Sequence, residues 1–344
     1  MKLFIHKLFH WEYWPFQIVY IPIYFLWAFY GIKAKSIFFF NACNPSIKNG
    51  GFMNESKKEI YDIIPPQYYP KTILISKNSN FVEVKRHTVS NKISFPCIAK
   101  PDIGLRGSAV SKILNLEELE QYCQKANFDY LIQDLIPFEN EVGIFYVRFP
   151  HEKRGKLTGI VAKEFLIVQG DGTSTMEQLI LTNPRYALQL QSLKREYGKR
   201  LKIVLPRDEK KNLVPFGNHA RGAKFIDASN LISDKLTEVI NNICTKIPEF
   251  YFGRLDVMYK NWEDLENGIN FQLVEINGSG SEPTHIYDPK HSLFFAWKEL
   301  ARHITFMYKI SAANNKRGFA YLSRKEGMKE YKLHLKQSEK IVSF

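Results

Sequence analysis

The pattern of apolar and polar positions predicts short strands that alternate with helices along most of the chain. Helical periodicity predicts a helix that begins at Asn54 or Ser56, a second over 116–126, and a third that follows a Thr or Ser cap just before Glu177. Apolar runs bounded by polar or glycine-rich turns predict buried strands. These runs cover 36–40, 70–75, 95–100, 130–136, 159–165, 253–257 and 273–278. The alternation predicts an α/β chain.

Two of the predicted strands carry acidic residues that suit a metal ion. Asp256 and Glu275 lie on either side of a polar stretch whose length and composition predict a wide hairpin turn. Asn277 lies on the same strand face as Glu275, and Arg254 on the same face as Asp256, because strand side chains alternate. Two carboxylates and a carboxamide oxygen are hard ligands that suit Mg²⁺. The alternative is that both carboxylates end their strands and pair with a nearby Lys or Arg.

Two glycine-bounded loops suit anionic groups. Lys100 ends a strand and is followed by a loop that holds Gly104, Gly107 and Ser108, whose backbone N–H groups can approach phosphate closely. The loop 217–223 carries His219 and Arg221 and predicts a flap over the substrate. A turn with a purely structural role is the alternative for the first loop, and a solvated turn for the second.

The N-terminal segment is an uncharged, aromatic-rich run from Tyr13 to Ile32, long enough to cross a bilayer. Pro15 and Pro22 interrupt it, and no small-residue cleavage site follows, so it is not a typical secretory signal. Three alternatives stay open: a helix that lies in the membrane interface, a true membrane span, and a segment packed on the protein's own core or on a partner such as a second copy.

Composition and charge narrow the classes of partner. The 344 residues carry a formal charge of +13, and much of the excess lies before Lys35 and after Lys316. Because no zinc-ligand spacing or aromatic-basic repeat accompanies it, nucleic-acid binding is not expected, and an anionic membrane surface is the expected partner. The four cysteines are scattered, which is typical of a reducing compartment and argues against a disulfide framework or a zinc site.

The order of the motifs resembles the ATP-grasp superfamily, and in particular its D-alanine–D-alanine ligases. A stretch that begins Gly170-Asp171-Gly172 is similar to glutathione and cyanophycin synthetases. The resemblance rests on the following motifs, in chain order: Ser56-Lys57 at a helix start, Pro70-Lys71-Thr72, Phe95-Pro96 through Lys100-Pro101 with its glycine loop, Gln133-Asp134-Leu135-Ile136 before Glu141, Gly253-Arg254-x-Asp256-Val257, and Glu275-x-Asn277.

The resemblance implies an ATP-grasp fold in which two α+β subdomains clamp ATP. The composition of the N-terminal residues predicts an aromatic and basic membrane-interface segment at 1–35. After it, the resemblance implies a short substrate segment at 36–70, a lid subdomain at 71–134 and a metal-binding subdomain at 135–310. A basic tail follows at 311–344.

The resemblance also assigns roles by position. Lys57, Lys100 and Lys163 match phosphate-binding lysines, with 104–108 as the lid over the phosphates. Arg254 matches the residue that stabilises the tetrahedral intermediate. The remaining assignments are Gln133, Asp134 and Ile136 at adenine, Glu141 at ribose, and Asp256, Glu275 and Asn277 at the metal. Two departures stand out: Gln133 replaces a common acidic residue, and 278–285 replaces the usual proline-glycine turn.

The implied reaction joins a carboxylate to an amine through an acyl phosphate, with ATP and two Mg²⁺ ions, which Mn²⁺ can replace. The alternatives are a phosphotransferase on the same fold and a non-catalytic nucleotide-binding scaffold. ATP chemistry and the membrane-directed ends together predict a cytoplasmic protein at the inner face of a membrane, acting on a lipid-borne or membrane-proximal substrate.

Overall fold

The computed structural model describes residues 10–104, 107–213 and 224–344. Its strands are β1 (Thr72–Ile75), β2 (Cys97–Pro101), β3 (Ser111–Ile113), β4 (Tyr130–Asp134), β5 (Asn140–Val147), β6 (Lys156–Glu164), β7 (Ile167–Gln169), β8 (Lys210–Asn212), β9 (Lys224–Asp227), β10 (Phe252–Tyr259) and β11 (Phe271–Asn277).

Its helices are α1 (Phe16–Val19), α2 (Ile21–Ala34), α3 (Lys57–Ile63), α4 (Phe81–Ser90), α5 (Leu116–Lys125), α6 (Met176–Thr182), α7 (Pro184–Ala187), α8 (Leu190–Tyr197), α9 (Asp234–Cys244), α10 (Trp262–Glu266), α11 (Leu293–Lys316) and α12 (Arg324–Val342). Short 3₁₀ helices lie at Trp11–Tyr13, Phe39–Ala42, Lys48–Gly51, Pro66–Tyr68, Gly198–Lys202, Ser229–Leu231 and Thr284–Tyr287. The prediction of a mixed α/β chain is confirmed.

The chain divides into two compact units. The larger unit contains 23–160, 229–283 and 300–344, and the smaller contains 1–22, 161–228 and 284–299. Every predicted site residue from Lys57 to Glu141 and from Arg254 to Asn277 belongs to the larger unit.

The larger unit has a first sheet with strand order β1-β4-β2-β3, built entirely from residues 72–134. All its neighbouring strands are antiparallel. Capping side chains begin its two helices: Asn80 accepts from the Glu83 backbone at α4, and Asn115 accepts from the Glu118 backbone at α5. An apolar core lies between the sheet and these helices, and Leu119 within it is completely buried.

The second sheet of the larger unit carries the predicted metal residues. Its order is β11-β10-β5 followed by the first part of β6, and β10 is antiparallel to both of its neighbours. Leu255 and Val257 are completely buried on one face of β10, so Arg254 and Asp256 lie on the other face. The turn predicted between the two acidic strands contains the short helix α10.

The predicted strand over 36–40 is wrong, because these residues form a turn and a 3₁₀ helix. The backbone hydrogen bonds are local: the Asn41 N–H donates to the Phe38 carbonyl and the Cys43 N–H to the Phe40 carbonyl. Phe39 and Phe40 are buried by other aromatic rings, including Trp27, and not by strand pairing. An apolar run alone does not distinguish these two kinds of burial.

The aromatic N-terminal run breaks into α1 and α2 near its prolines. Within the described ranges no helix is long and apolar enough to cross a membrane. In the larger unit, α2 packs Trp27, Tyr30 and Ala34 against a cluster that includes Met307 and Ile310 of α11. One face of α2 therefore packs on the protein's own core, as one of the three alternatives predicts.

Residues 311–344, for which the sequence indicates only positive charge, contain the end of α11 and all of α12. A capping box between Ser323 and Glu326 begins α12. Glu330 on this helix accepts hydrogen bonds from Asn49 and Asn54, and Ile341 joins the apolar core of the first sheet. The segment is an integral part of the larger unit.

In the smaller unit, the second part of β6 pairs with β9, and β7 pairs with β8. The capping box that begins α6 joins Thr175 to Gln178, which confirms the predicted Thr cap. Gly170 is required where it stands, because a Cβ there would lie 2.1 Å from the Pro206 carbonyl oxygen.

Candidate functional site

The β10–β11 hairpin brings the two predicted metal carboxylates together. Asp256 and Glu275 are direct partners in the antiparallel register, and Arg254 is opposite Asn277. A bulge follows Asp256, so the register shifts only beyond the four residues of the site. The predicted hairpin and the predicted pairing of its two carboxylates are confirmed.

Asp256 is 4% exposed and is held by its strand neighbours. Arg254 donates through Nε to Oδ1 at 2.7 Å and through Nη2 to Oδ2 at 2.9 Å, which is a bidentate ion pair. The Asn277 Nδ2 lies 3.4 Å from the same Oδ2. The two hydrogen bonds from Arg254 fix the orientation of the carboxylate.

Glu275 pairs with a lysine from a different element. The Lys57 Nζ, at the first residue of α3, lies 3.1 Å from Glu275 Oε1. Burial alone would raise the pKa of Glu275, but Lys57, assisted by Lys100, holds that pKa below its ordinary value. Burial would lower the pKa of Lys57, which Glu275 and Glu55 raise above its ordinary value. The two carboxylates converge and each pairs with a cation, as the alternative of plain ion pairing predicts; the metal site stays a prediction.

Lys100 is surrounded differently, because its hydrogen-bond partners are neutral. Its Nζ lies 2.9 Å from the Tyr61 hydroxyl, 3.0 Å from Gln133 Oε1 and 3.2 Å from the Val274 carbonyl oxygen. The lysine is 5% exposed, and burial lowers its pKa to about 7. Its charge is stabilised by dipoles, with Glu275 as a more distant source of negative potential.

The glycine loop after Lys100 approaches Lys57 closely. A Cβ at Gly104 would lie 2.6 Å from the Lys57 Nζ, so a glycine leaves room for the ammonium group. Gly107 has a φ of +74°, a left-handed conformation that favours glycine. Ser108 follows it and is partly exposed.

Asp102 ties this loop to the start of α3. Its Oδ1 accepts from the Ser56 hydroxyl and from the Lys58 backbone N–H, each at 2.9 Å, and its carbonyl accepts from the Lys57 N–H at 3.2 Å. A carboxylate at a helix N-terminus also interacts favourably with the helix dipole. Asp102 therefore holds Lys57 beside Lys100, although the two lysines lie on separate elements.

The predicted hinge residues lie at the end of β4 and in the segment that connects it to β5. The Gln133 side chain accepts from Lys100 and donates to the Thr72 hydroxyl at 2.6 Å, so both its polar atoms are engaged within the protein. The Asp134 backbone N–H donates to the Lys71 carbonyl, and Ile136 is 8% exposed. Glu141 lies on β5, opposite Met258 in the register, and is partly exposed. Contacts of these residues with adenine and ribose stay predictions.

Three further predicted residues belong to other parts of the chain. Lys163 lies in the smaller unit, where it pairs with Phe225 across β6 and β9. His219 and Arg221 lie outside the described residues. Their predicted roles stay predictions.

Sequence reasoning missed Tyr61 and Asp102. Tyr61 lies four residues after Lys57, so both side chains leave the same face of α3. The Tyr61 hydroxyl donates to the Val274 carbonyl and accepts from Lys100, and burial raises the pKa of the phenol. The helical spacing from Lys57 is the one signal in the sequence that identifies Tyr61.

The donor set fits a magnesium ion in kind and number. Within the described ranges, no group of three or more His, Cys, Asp or Glu side chains is placed to hold a metal. Mg²⁺ needs fewer protein ligands, because it keeps waters and takes oxygens from substrate phosphates. Asp256 and Glu275 supply two adjacent carboxylates, and the Glu275 oxygen that pairs with Lys57 keeps a second lone pair.

No protein-family profile matches the sequence, and no curated protein matches it. Among solved structures, the chain is similar to a D-alanine–D-alanine ligase from Bacillus anthracis, with 15% identity and a TM-score of 0.43 over 77% of this chain and 69% of that one. It is similar to the VanG D-Ala:D-Ser ligase from Enterococcus faecalis, with 12% identity and a TM-score of 0.42 over 76% and 62%.

It is also similar to a bifunctional glutathione synthetase from Pasteurella multocida, with 13% identity and a TM-score of 0.38 over 71% and 35%. The chain thus spans less than two thirds of the VanG ligase and of the glutathione synthetase. Because these TM-scores lie below 0.5, the reaction has to be argued from the residues themselves.

Proposed function

We propose that this protein is an Mg²⁺- and ATP-dependent ligase that joins a carboxylate to an amine through an acyl phosphate. One observation carries the proposal: two adjacent carboxylates and three buried or half-buried cations converge at one edge of the β10–β11 hairpin. The carboxylates are Asp256 and Glu275. The cations are Lys57, Lys100 and Arg254. This combination suits a triphosphate with its metal.

The two lysines bind the triphosphate. Lys100 reaches it from the end of β2 and Lys57 from the start of α3, while backbone N–H groups of 104–108 cover the phosphates. The position of Gly104 supports this, because a Cβ there would lie 2.6 Å from the Lys57 Nζ, so the start of the loop is directly beside the ammonium group. With nucleotide bound, Lys57 would pair with a phosphate oxygen in place of Glu275, which would leave the Glu275 carboxylate to hold the metal.

Asp256, Glu275 and Asn277 would hold Mg²⁺, as two ions in the full complex or Mn²⁺ in their place. A metal bound there would supply positive charge that neutralises phosphate oxygens during transfer. Arg254 keeps the Asp256 carboxylate oriented for this purpose. Gln133, Asp134 and Ile136 contact adenine, Glu141 the ribose, and Lys163 a further phosphate, while His219 and Arg221 belong to a flap over the substrates.

The reaction proceeds in two displacements. A carboxylate oxygen of the first substrate attacks the γ-phosphorus, the bond to the β–γ bridging oxygen breaks, and ADP leaves. The amine of the second substrate then attacks the acyl carbon, phosphate leaves, and the nitrogen loses a proton to form the amide. Lys57, Lys100 and Arg254 hold the oxygens on which charge develops, so alignment and electrostatics supply the catalysis and no protein nucleophile takes part.

The proposal includes a location. The catalytic chemistry requires ATP and Mg²⁺, and Cys43, Cys97, Cys123 and Cys244 are all unpaired, which suits the reducing cytoplasm. The protein acts at the inner face of a membrane, and one of its two substrates is lipid-borne or close to the membrane. The uncharged aromatic segment and the basic residues near both chain ends support this location.

Product analysis tests the reaction. The full chain is incubated with Mg·ATP and a cell extract, and mass spectrometry searches for products whose mass equals an acid plus an amine less one water. Such a product should appear together with ADP and phosphate, and should be lost in Glu275→Gln. A phosphorylated product that accumulates without an amine would overturn the ligase proposal in favour of a phosphotransferase.

A further inference from the structure

Helix α2 has two apolar faces, and only one of them packs on the larger unit. Trp27 meets the rings of Phe39 and Phe40, and the Tyr30 ring stacks on Tyr308 at 4.3 Å. The Tyr30 hydroxyl also hydrogen-bonds the Thr305 hydroxyl at 2.9 Å. These contacts fix the rotation of α2 about its axis.

The opposite face of α2 presents large apolar side chains to solvent. Phe25 is 74% exposed, Phe29 51% and Ile32 78%, and their spacing of four and three residues places them on one side of the helix. The sequence carries no charged residue between Tyr13 and Ile32. A continuous uncharged apolar face of this kind marks an interaction surface.

Cations collect where this apolar face ends. Lys33 and Lys35 follow Ile32 and are exposed, and the Lys33 Nζ lies 5.0 Å from the centre of the Phe29 ring. The Ser36 hydroxyl donates to the Leu322 carbonyl at 3.0 Å, which joins the end of α2 to the residues just before α12.

The start of α12 adds to this charge. Its first two residues, Arg324 and Lys325, are also exposed. The junction is tight, because a Cβ at Gly327 would lie 2.4 Å from the Phe38 ring. Four exposed cations are thus gathered near one end of the apolar face.

We infer that this surface lies in the plane of a membrane and binds its anionic head groups. The interfacial surface consists of Phe25, Phe29 and Ile32 with Lys33, Lys35, Arg324 and Lys325. An apolar face that enters the acyl boundary beside cations at the head-group level is the arrangement that in-plane helices use. The charge beside the face favours an anionic bilayer over a second protein chain, whose surface would need its own complementary acids.

The packed face of α2 connects this surface to the candidate site. Trp27 contacts the Phe52 ring at 5.5 Å, and Phe52 follows Gly50 and Gly51. The carbonyls of these two glycines accept from the backbone of Ser279 and Gly280, which directly follow the strand of Glu275 and Asn277.

A head group at α2 therefore lies near the loops that adjoin the metal-binding strand. The lipid-borne substrate of the proposed reaction would then be presented from the head-group region of an anionic bilayer. In this respect the inference rests on the proposed function, whereas the docking surface itself does not.

Vesicle flotation tests the surface with the full chain. Phosphatidylcholine vesicles are compared with vesicles that also contain phosphatidylglycerol, at low and high salt. The wild type should float with the anionic vesicles, and high salt should reduce the bound fraction. Phe25→Asp combined with Phe29→Asp should reduce binding roughly tenfold or more, because two charges would enter the apolar boundary.

Matched controls come from the exposed faces of α4 and α5. Val82→Asp with Val89→Asp changes two apolar residues that are 76% and 65% exposed, and should leave flotation unchanged.

Lys33→Glu with Lys35→Glu tests the cations of the surface and should weaken binding to anionic vesicles roughly tenfold or more. The corresponding control, Lys85→Glu with Lys125→Glu, changes two exposed lysines elsewhere in the unit and should have a much smaller effect.

A wild-type protein that floats with neither vesicle type overturns the inference. So does a double Asp variant that floats like the wild type. Light scattering identifies the rival occupant: a dimer that the double Asp variant loses, without vesicle binding, assigns the face to a second copy. Product formation by the same variants in solution distinguishes the two proposals. A protein that forms the ligated product but does not float would contradict the docking surface and leave the proposed ligase reaction standing.

Discussion

The surroundings of Lys57 and Lys100 differ in charge balance, although the same role is predicted for both lysines. Lys57 faces the carboxylate of Glu275 at 3.1 Å, so its charge is already compensated. Lys100 faces a phenol, an amide oxygen and a carbonyl oxygen, and its pKa falls to about 7. Lys57 would therefore have to exchange Glu275 for a phosphate, whereas Lys100 can bind a phosphate without giving up an anionic partner.

The largest expected effect on turnover comes from removing the carboxylate that compensates the charge of Lys57. Glu275→Gln removes a negative charge with little change in volume, so the proposed metal would lose a ligand and Lys57 would lose its carboxylate partner. We expect the rate of ADP release to fall roughly a hundredfold or more. Asp256→Asn should behave alike, since it also breaks the bidentate pair with Arg254.

Both variants should melt cooperatively in the absence of metal, which separates loss of chemistry from loss of fold. Glu263→Gln on α10 changes an exposed carboxylate in the same way and should turn over normally. Normal turnover by both Glu275→Gln and Asp256→Asn would remove the metal assignment.

Removing the uncompensated charge should have the next largest effect. Lys100→Ala should weaken Mg·ATP binding by about 1.5–3 kcal/mol, the range for a hydrogen bond to a charged group. Isothermal calorimetry measures this directly. Lys58→Ala is the matched control, because that neighbouring lysine pairs with Asp62 at the surface. Equal affinity of the wild type and Lys100→Ala would exclude Lys100 from the phosphate site.

The pKa of Lys100 predicts proton uptake on nucleotide binding. With a pKa of about 7, the apo lysine is mostly neutral at pH 8 and mostly protonated at pH 6. A bound triphosphate favours the charged form and raises this pKa. ATP binding should therefore take up close to one proton at pH 8 and almost none at pH 6.

Calorimetry in buffers of different ionisation enthalpy measures this uptake. The pH 8 uptake should disappear in Lys100→Ala. An equal uptake in the variant would assign the proton to another group and remove the difference between the two lysines.

A smaller effect should follow from Tyr61→Phe, which deletes only the hydroxyl that holds Lys100. Lys100 keeps its contacts with Gln133 and the Val274 carbonyl, so ATP affinity should fall by only about 1 kcal/mol, or roughly fivefold. Tyr69→Phe is the control, because that ring stacks on Tyr61 at 4.9 Å and the Tyr69 hydroxyl is not one of the hydrogen-bond partners of Lys100. If the two variants bind ATP equally well, Tyr61 does not position the lysine.

Local sequence patterns identify the parts of the site that depend on local structure. The pairing of Asp256 with Glu275 follows from two strands and one hairpin, and the start of α3 follows from the Ser56 cap. Both signals extend over a few residues or one turn. The periodicity of strands and helices is enough to detect them.

Contacts between distant segments leave no such signal. Asp102 reaches Ser56, and Tyr61 reaches Lys100, only because α3 docks beside the first sheet. The wrong strand at 36–40 has the same origin, since its aromatic rings are buried by α2 and α11 and not by a neighbouring strand. The integration of α12 likewise depends on tertiary packing, which charge counting cannot detect.

Trapping the activated acid is the most direct test of the ligase. Hydroxylamine replaces the amine in reactions of the full chain with Mg·ATP and a panel of amino acids, peptides and lipid-linked acids. An acyl phosphate reacts with hydroxylamine to give a hydroxamate, so the account predicts hydroxamate in step with ADP for one class of acid, and none in Glu275→Gln. ADP formed with a stable phosphorylated product, or hydroxamate formed equally by that variant, would contradict it.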